Sequence, residues 1–425
     1  MKWIKRILVV LLVFMIVLSA SVYFYLQSFQ PTYEGELSLS GLAEEVEVYF
    51  DDYGIPHIYA QNEADAYFAL GYVHAKERLF QMEMLRRVGS GRLAEVFGEG
   101  LLENDRFFRT IGIREVSEVA AKEYMSESNE PFQKAAFAYL KGINTFIQAG
   151  DTPLEYKLLG LKKERFTIVD LYCIAGYMAY SFNVAFRTDP ILTKIHNKLG
   201  EKYTKDFSTH WIEGTQKIPV YPKLEKSSKD SLADAELITQ STRHIFDQLP
   251  VPVWLGSNSW VVAGEKTKSG KVFFANDAHI GFGQPSVWYE SHLEYPGFSF
   301  YGNYIAGMPF APIGHTRRHA WGITMLENDE TDLYQEKLNP NNPNQVKYKD
   351  SWENLTIRTE TIKIKGQEDL VFEVKASRHG PIINDCIQNF EEVSQDPVTA
   401  FMTYTRFPNQ GLQGFYQLGK GYVQS

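Results

Sequence analysis

Ser257 and His279 are the residues whose types and spacing point most directly to chemistry. A serine hydroxyl is a poor nucleophile until a base takes its proton, so a serine brought beside a base is a candidate. Residues 256–280 read GSNSWVVAGEKTKSGKVFFANDAHI. Two apolar runs, Trp260 to Ala263 and Val272 to Ala275, flank a polar turn from Lys266 to Gly270. That pattern predicts a β-hairpin. It puts Ser257 and Asn258 at the start of one strand and His279 just past the end of its partner, where the two ends meet. By type alone, a serine after a glycine is a turn residue and His279 a loop histidine; the hairpin sets them apart.

Other hydrolase and nucleotide signatures are missing. There is no Gly-x-Ser-x-Gly elbow, His-Glu-x-x-His helix, P-loop or Gly-x-Gly-x-x-Gly turn. The ten histidines are scattered without metal-ligand spacing. A formal charge of −9 argues against a nucleic-acid partner. Two cysteines make no disulfide framework. Cys173 in an apolar helical stretch and Cys386 beside a turn read as buried or incidental thiols, with a single bridge left open.

The elements that must position the hairpin follow from periodicity. Lys2, Lys5 and Arg6 precede an unbroken apolar run over residues 7–26, long enough to span a bilayer with its start in the cytoplasm. Ser19-Ala20-Ser21 resembles a cleavage site, but the run continues past it, which favours an uncleaved anchor over residues 1–26; cleavage would make the protein secreted. Residues 27–40 form a linker. Residues 41–205 form a mostly helical unit that opens with two short strands, near 46–50 and 55–60. A long amphipathic helix follows, with Ala64, Phe68, Val73, Leu79, Met82 and Leu85 at helical spacing, broken by Gly89, Gly91 and Gly98. Residues 206–256 read as a spacer. Residues 257–425 are β-rich, with strands near 260–275, 286–295, 298–305, 318–325, 355–365 and 369–376. The fold class is α+β.

Several blocks carry a family resemblance. They are GSNSWVVAG from Gly256, NDAH from Asn276, DYGIPHIYA from Asp52, GYVHAKERLFQME from Gly71, GHT from Gly314, AWGIT from Ala320, NDETDLY from Asn328 and RHGPI from Arg378. In that composition and order the sequence resembles the penicillin acylase (penicillin amidase) family of N-terminal nucleophile hydrolases. The resemblance implies a four-layer αββα sandwich, incomplete at its C-terminal end. It implies self-cleavage between Gly256 and Ser257, converting an inactive precursor into α- and β-chains. Ser257 would then be the nucleophile and its free α-amine the base. That amine has a reference pKa near 8, so a useful fraction is neutral at physiological pH.

The same resemblance assigns further roles. The backbone N–H of Met325 would be an oxyanion donor, and His279 would stand beside the nucleophile. Asp329, Thr331 and Asp332 would belong to a structural calcium site, with Asp189 the nearest α-chain candidate; no organic cofactor is implied. Met178, Phe182, Ile280 and Ile313 would line an acyl pocket, and all four are apolar. On periodicity alone Met178 and Phe182 are equally core residues on one helix face. The family's asparagine oxyanion donor lies beyond Ser425. The expectation is therefore an extracytoplasmic amidohydrolase acting on linear amide C–N bonds of N-acyl compounds such as penicillins or N-acyl homoserine lactones. The competing expectation is a membrane-anchored, non-catalytic remnant or binding fragment.

Overall fold

The computed structural model describes residues 2–125, 130–183, 185–200, 254–325, 331–386, 397–402 and 411–421. Most of the expected spacer, and Asp329 of the expected calcium segment, lie outside the described residues.

The helices are α1 (Lys2–Gln27), α2 (Glu63–Ser90), α3 (Ala94–Phe97), α4 (Leu102–Ile111), α5 (Ile113–Met125), α6 (Pro131–Ala149), α7 (Leu154–Leu159), α8 (Ile168–Ser181), α9 (Ala185–Leu199) and α10 (Gly411–Lys420). The strands of the first half are β1 (Glu47–Phe50) and β2 (Pro56–Tyr59). From the junction onward come β3 (Trp254–Val262), β4 (Phe273–Ile280), β5 (Trp288–Tyr295), β6 (Phe298–Ile305), β7 (Ile313–Thr316), β8 (Ala320–Trp321) and β9 (Thr331–Gln335). They continue with β10 (Leu338–Asn339), β11 (Asn342–Tyr348), β12 (Ser351–Asn354), β13 (Thr356–Ile362), β14 (Leu370–Ala376) and β15 (Val398–Met402).

Helix α1 is long and apolar enough to cross a membrane, and none of its residues is buried. Helix α2 starts where Asn62 caps the N–H of Asp65 and ends at Gly91, which adopts a left-handed conformation. Its apolar stripe forms the core with α6 and α8. The contact with α6 is a backbone-to-backbone approach made through glycine. A Cβ on Gly71 would fall 2.0 Å from the Tyr139 carbonyl oxygen, and one on Gly142 2.0 Å from that of Phe68. Beneath α2 the carboxylate of Glu83 is fully buried. It accepts from Arg86 at 2.5 Å, Arg87 at 2.6 Å and Tyr156 at 3.1 Å. A buried charge is tolerable only when paired in this way.

The principal sheet has strand order β1-β2-β5-β6-β7-β8. Strand β2 runs parallel to β5, with His57 opposite His292; the other neighbours are antiparallel. Strands from both sides of residue 256 therefore share one sheet. The motif that begins at Gly71 serves the same seam: Glu77 accepts from the Tyr289 hydroxyl at 2.5 Å, while Arg78 and Gln81 each donate to the Ser286 carbonyl at 3.0 Å.

Strands β3 and β4 form a separate two-stranded sheet among the described residues. The fold is mixed helix and sheet, as expected. Three local expectations are corrected. Within 318–325 only Ala320–Trp321 is strand, because Gly322 onward leaves the sheet to cross toward the hairpin. Strands β7, β9 to β12 and β15 are additional to the expected ones; most are short, with weak alternation. The last part of the chain is not wholly β: α10 buries Leu412 and Tyr416, four apart, against the main core. Cys173 and Cys386 are both free and buried, which excludes the single bridge. Burial pushes each thiol up to about 12.

Candidate active site

The hairpin forms as its pattern predicts, but its strands run further. Ser257 lies inside β3 and His279 inside β4, instead of at a strand start and beyond a strand end. The register pairs Ser257 with Ala278, Asn258 with Asp277, and Gly256 with His279. Directly opposed residues share a face and successive residues alternate. Ser257 and Ala278 therefore occupy one face, while Asn258, Asp277 and His279 occupy the other.

The histidine's contacts agree. His279 Nε2 lies 3.0 Å from Asp277 Oδ2 and 3.4 Å from Asn258 Nδ2, on an exposed surface. His279 is thus one register step from Ser257, with the two side chains on opposite faces of the hairpin. Its neighbour is Gly256: a Cβ built there would lie 3.6 Å from His279 Nδ1.

What Ser257 meets on its own face is Met325. The Met325 backbone N–H donates to Ser257 Oγ at 2.8 Å. This contact depends on the strap over residues 322–325. Its start is anchored by Trp321, whose ring stacks on Phe300 with centroids 5.1 Å apart. Asn276, on the Ser257 face of β4, donates through Nδ2 to the Ile323 carbonyl at 2.9 Å. Nothing in the sequence alone assigns Asn276 a role, but counting by two from Ala278 puts it on the Ser257 face.

The apolar residues assigned to the acyl pocket lie on three elements. Met178 on α8, Phe182 at the C-terminal cap of α8, and Ile280 at the end of β4 all pack against the main core cluster. Ile313 is half-buried at the start of β7, opposite Asn303.

In the calcium segment, Thr331 is buried at the start of β9 and its hydroxyl accepts from Asn183. Asp332 is half-buried and accepts from the Tyr334 hydroxyl at 3.5 Å. Asp189, on α9, accepts from the hydroxyl of Thr188 at 3.1 Å. Among the described residues no group of three or more His, Cys, Asp or Glu side chains converges on a metal position. The described donors are therefore too few to form that site by themselves.

The site is thus a serine hydroxyl on a hairpin strand that accepts from a backbone N–H held by a separate strap. The penicillin amidase family model matches residues 45–421, and the chain belongs to that family. It is 29% identical over 406 residues to the acyl-homoserine lactone acylase QuiP of Pseudomonas aeruginosa, covering 93% of this chain and 47% of that protein. It is 30% identical over 370 residues to the penicillin acylase 2 proenzyme of a Pseudomonas species, covering 84% of this chain and 46% of that one. Among solved structures, a thermostable penicillin G acylase from Alcaligenes faecalis aligns with 40% of this chain and 29% of its own, at 23% identity and a TM-score of 0.33. The chain spans about half the length of the curated relatives it matches.

Proposed function

We propose that this chain carries the nucleophile of an amidohydrolase of the penicillin acylase type, made as a precursor and activated by cleavage between Gly256 and Ser257. The contact between Ser257 Oγ and the Met325 N–H carries the reading. Cleavage consumes one water, leaves a carboxylate on Gly256 and frees the α-amine of Ser257. Before the cut that nitrogen is an amide with no basicity. Afterwards it takes the hydroxyl proton while Oγ attacks the carbonyl carbon of the substrate amide. The carbonyl oxygen becomes an oxyanion and receives the Met325 N–H. The α-ammonium gives its proton to the leaving nitrogen, the amine product departs to leave an ester on Ser257, and a water that passes a proton to the α-amine hydrolyses the ester to the free acid.

The proposed substrate is an N-acyl amide with an apolar acyl group received by Met178, Phe182, Ile280 and Ile313. The names of the relatives, acylases for acyl-homoserine lactones and penicillins, support this class. His279 is given a part at the precursor junction, through Gly256. The four-layer αββα sandwich belongs to the same proposal, as does retention at the membrane through α1 with the catalytic part outside the cytoplasm. A structural calcium ion does too. Asp332 and Asp329 would supply carboxylate oxygens to it, and Thr331 its backbone carbonyl, a hard-oxygen set suited to that ion. The ion would fix the start of β9, and no catalytic step runs through it.

Mass measurement of the purified protein, followed by a panel of chromogenic N-acyl amides, tests the reading. The expected result is a fragment beginning at Ser257 and release of amine from phenylacetyl or fatty-acyl substrates. An intact chain that never acylates at Ser257 would support the non-catalytic remnant instead.

A further inference from the structure

The Asn276 side chain touches both halves of the nucleophile arrangement. Its Nδ2 donates to the Ile323 carbonyl at 2.9 Å and reaches the Asn258 carbonyl at 3.4 Å, on the strand that bears Ser257. Its Oδ1 is buried without a hydrogen-bond partner. Buried amides are ordinarily satisfied at both ends, so an orphaned acceptor calls for an explanation.

Gly322 supplies the matching half. A Cβ at that position would lie 2.5 Å from Asn276 Cγ and 2.8 Å from both its Cβ and its Oδ1. The strap has given up a side chain there, and the Asn276 amide occupies the space. Only Thr324 separates the carbonyl that Asn276 holds from the N–H of Met325. Fixing the Ile323 carbonyl therefore orients the following peptides, and the Met325 N–H falls 2.8 Å from Ser257 Oγ.

We infer that Asn276 is a positioning residue: its amide clamps the strap so that the Met325 N–H is preset at the nucleophile. The catalytic part of this inference rests on the function proposed above; the structural part does not. Aspartate at 276 would present an oxygen to the Ile323 carbonyl in place of a donor. Alanine would remove the donor and leave the space open.

Two readouts separate the claims. The first is amide hydrogen exchange over residues 321–325 in the full chain. Asn276→Asp and Asn276→Ala are expected to speed it by about tenfold or more, leaving α2 and α6 unchanged. The second is turnover. Both variants are expected to lower kcat by about a hundredfold with little change in KM, as for loss of an oxyanion donor. Gly322→Ala should disturb the strap when Asn276 is present and be tolerated beside Asn276→Ala, a coupling that a double-mutant cycle measures.

Unchanged exchange in folded Asn276→Asp would overturn the inference. If neither variant folds, Gly322→Ala alone decides: faster exchange supports the clamp and unchanged exchange overturns it. A wild-type chain that is neither cut nor acylated, but loses strap protection in Asn276→Asp, would retain the clamp and reject the proposed function.

Discussion

The backbone N–H of Met325 donates to the hydroxyl of Ser257 at 2.8 Å, although the two residues are 68 positions apart. Ser257→Ala should leave this fold intact and abolish both cleavage and acylation. Mass spectrometry would then find only the uncut chain. A fragment beginning at residue 257 in that variant would show that the hydroxyl is not the group that cuts.

The buried ion cluster under α2 gives a stability prediction. Glu83 neutralises Arg86 and Arg87 with its carboxylate fully out of water. Glu83→Ala leaves two nearly fully buried guanidinium groups short of their shared counter-ion. The expected loss is about 3–5 kcal/mol, read from denaturant melts. A loss below about 1 kcal/mol would mean that Glu95 and Glu164, which also pair with Arg87, take over.

The close approach of α2 and α6 predicts a second effect of comparable origin. Gly71→Ala would drive a methyl group into the Tyr139 carbonyl, and neither helix backbone can yield locally. About 1–3 kcal/mol of overpacking is expected, with a lowered melting temperature. Alanine at Gly160, where nothing lies nearby, tests the contrast: its penalty should come from the positive φ alone.

Two histidines are held neutral by the fold. Burial keeps His74 well below its usual value, with Arg78 adding to the effect. Its ring stacks on Tyr289 and its Nδ1 lies 2.8 Å from the Tyr139 hydroxyl. His292 is lowered by burial first and by facing His57 second, their Nδ1 atoms 3.3 Å apart. Asp51 stands 3.5 Å from the far nitrogen of His57, and Glu294 the same distance from that of His292, with Arg317 on Glu294. A folded-state pKa below the unfolded value near 6.5 means that stability is complete above that pH and declines below it. For fully buried His74 the slope is about 1.4 kcal/mol per pH unit. Denaturant melts from pH 7.5 to 5 should show that decline, and His74→Gln should flatten part of it. A flat wild-type profile would contradict the assignment.

Calcium makes the last prediction. Millimolar calcium should raise the melting temperature and a chelator should lower it. A concentration a hundredfold above Kd is worth about 2.7 kcal/mol. Asp332→Asn should shift the titration to higher calcium. No response in the wild-type protein would remove calcium from the proposal.

Local pattern alone determined a good deal of this protein. The hairpin is written in two apolar runs about a polar turn, α2 in helical spacing and α1 in an unbroken apolar run, signals that short-range sterics and hydropathy carry wherever the chain lies. The tertiary structure decided which groups face each other. The register puts the His279 side chain on the face opposite Ser257 and the Asn276 side chain on the same face. Pairing of β2 with β5 merged the two halves into one sheet. The path after Trp321 turned an expected strand into a strap that offers its N–H to Ser257. These are contacts between distant segments, set by packing and hydrogen-bond satisfaction across the whole fold, and no local periodicity encodes them.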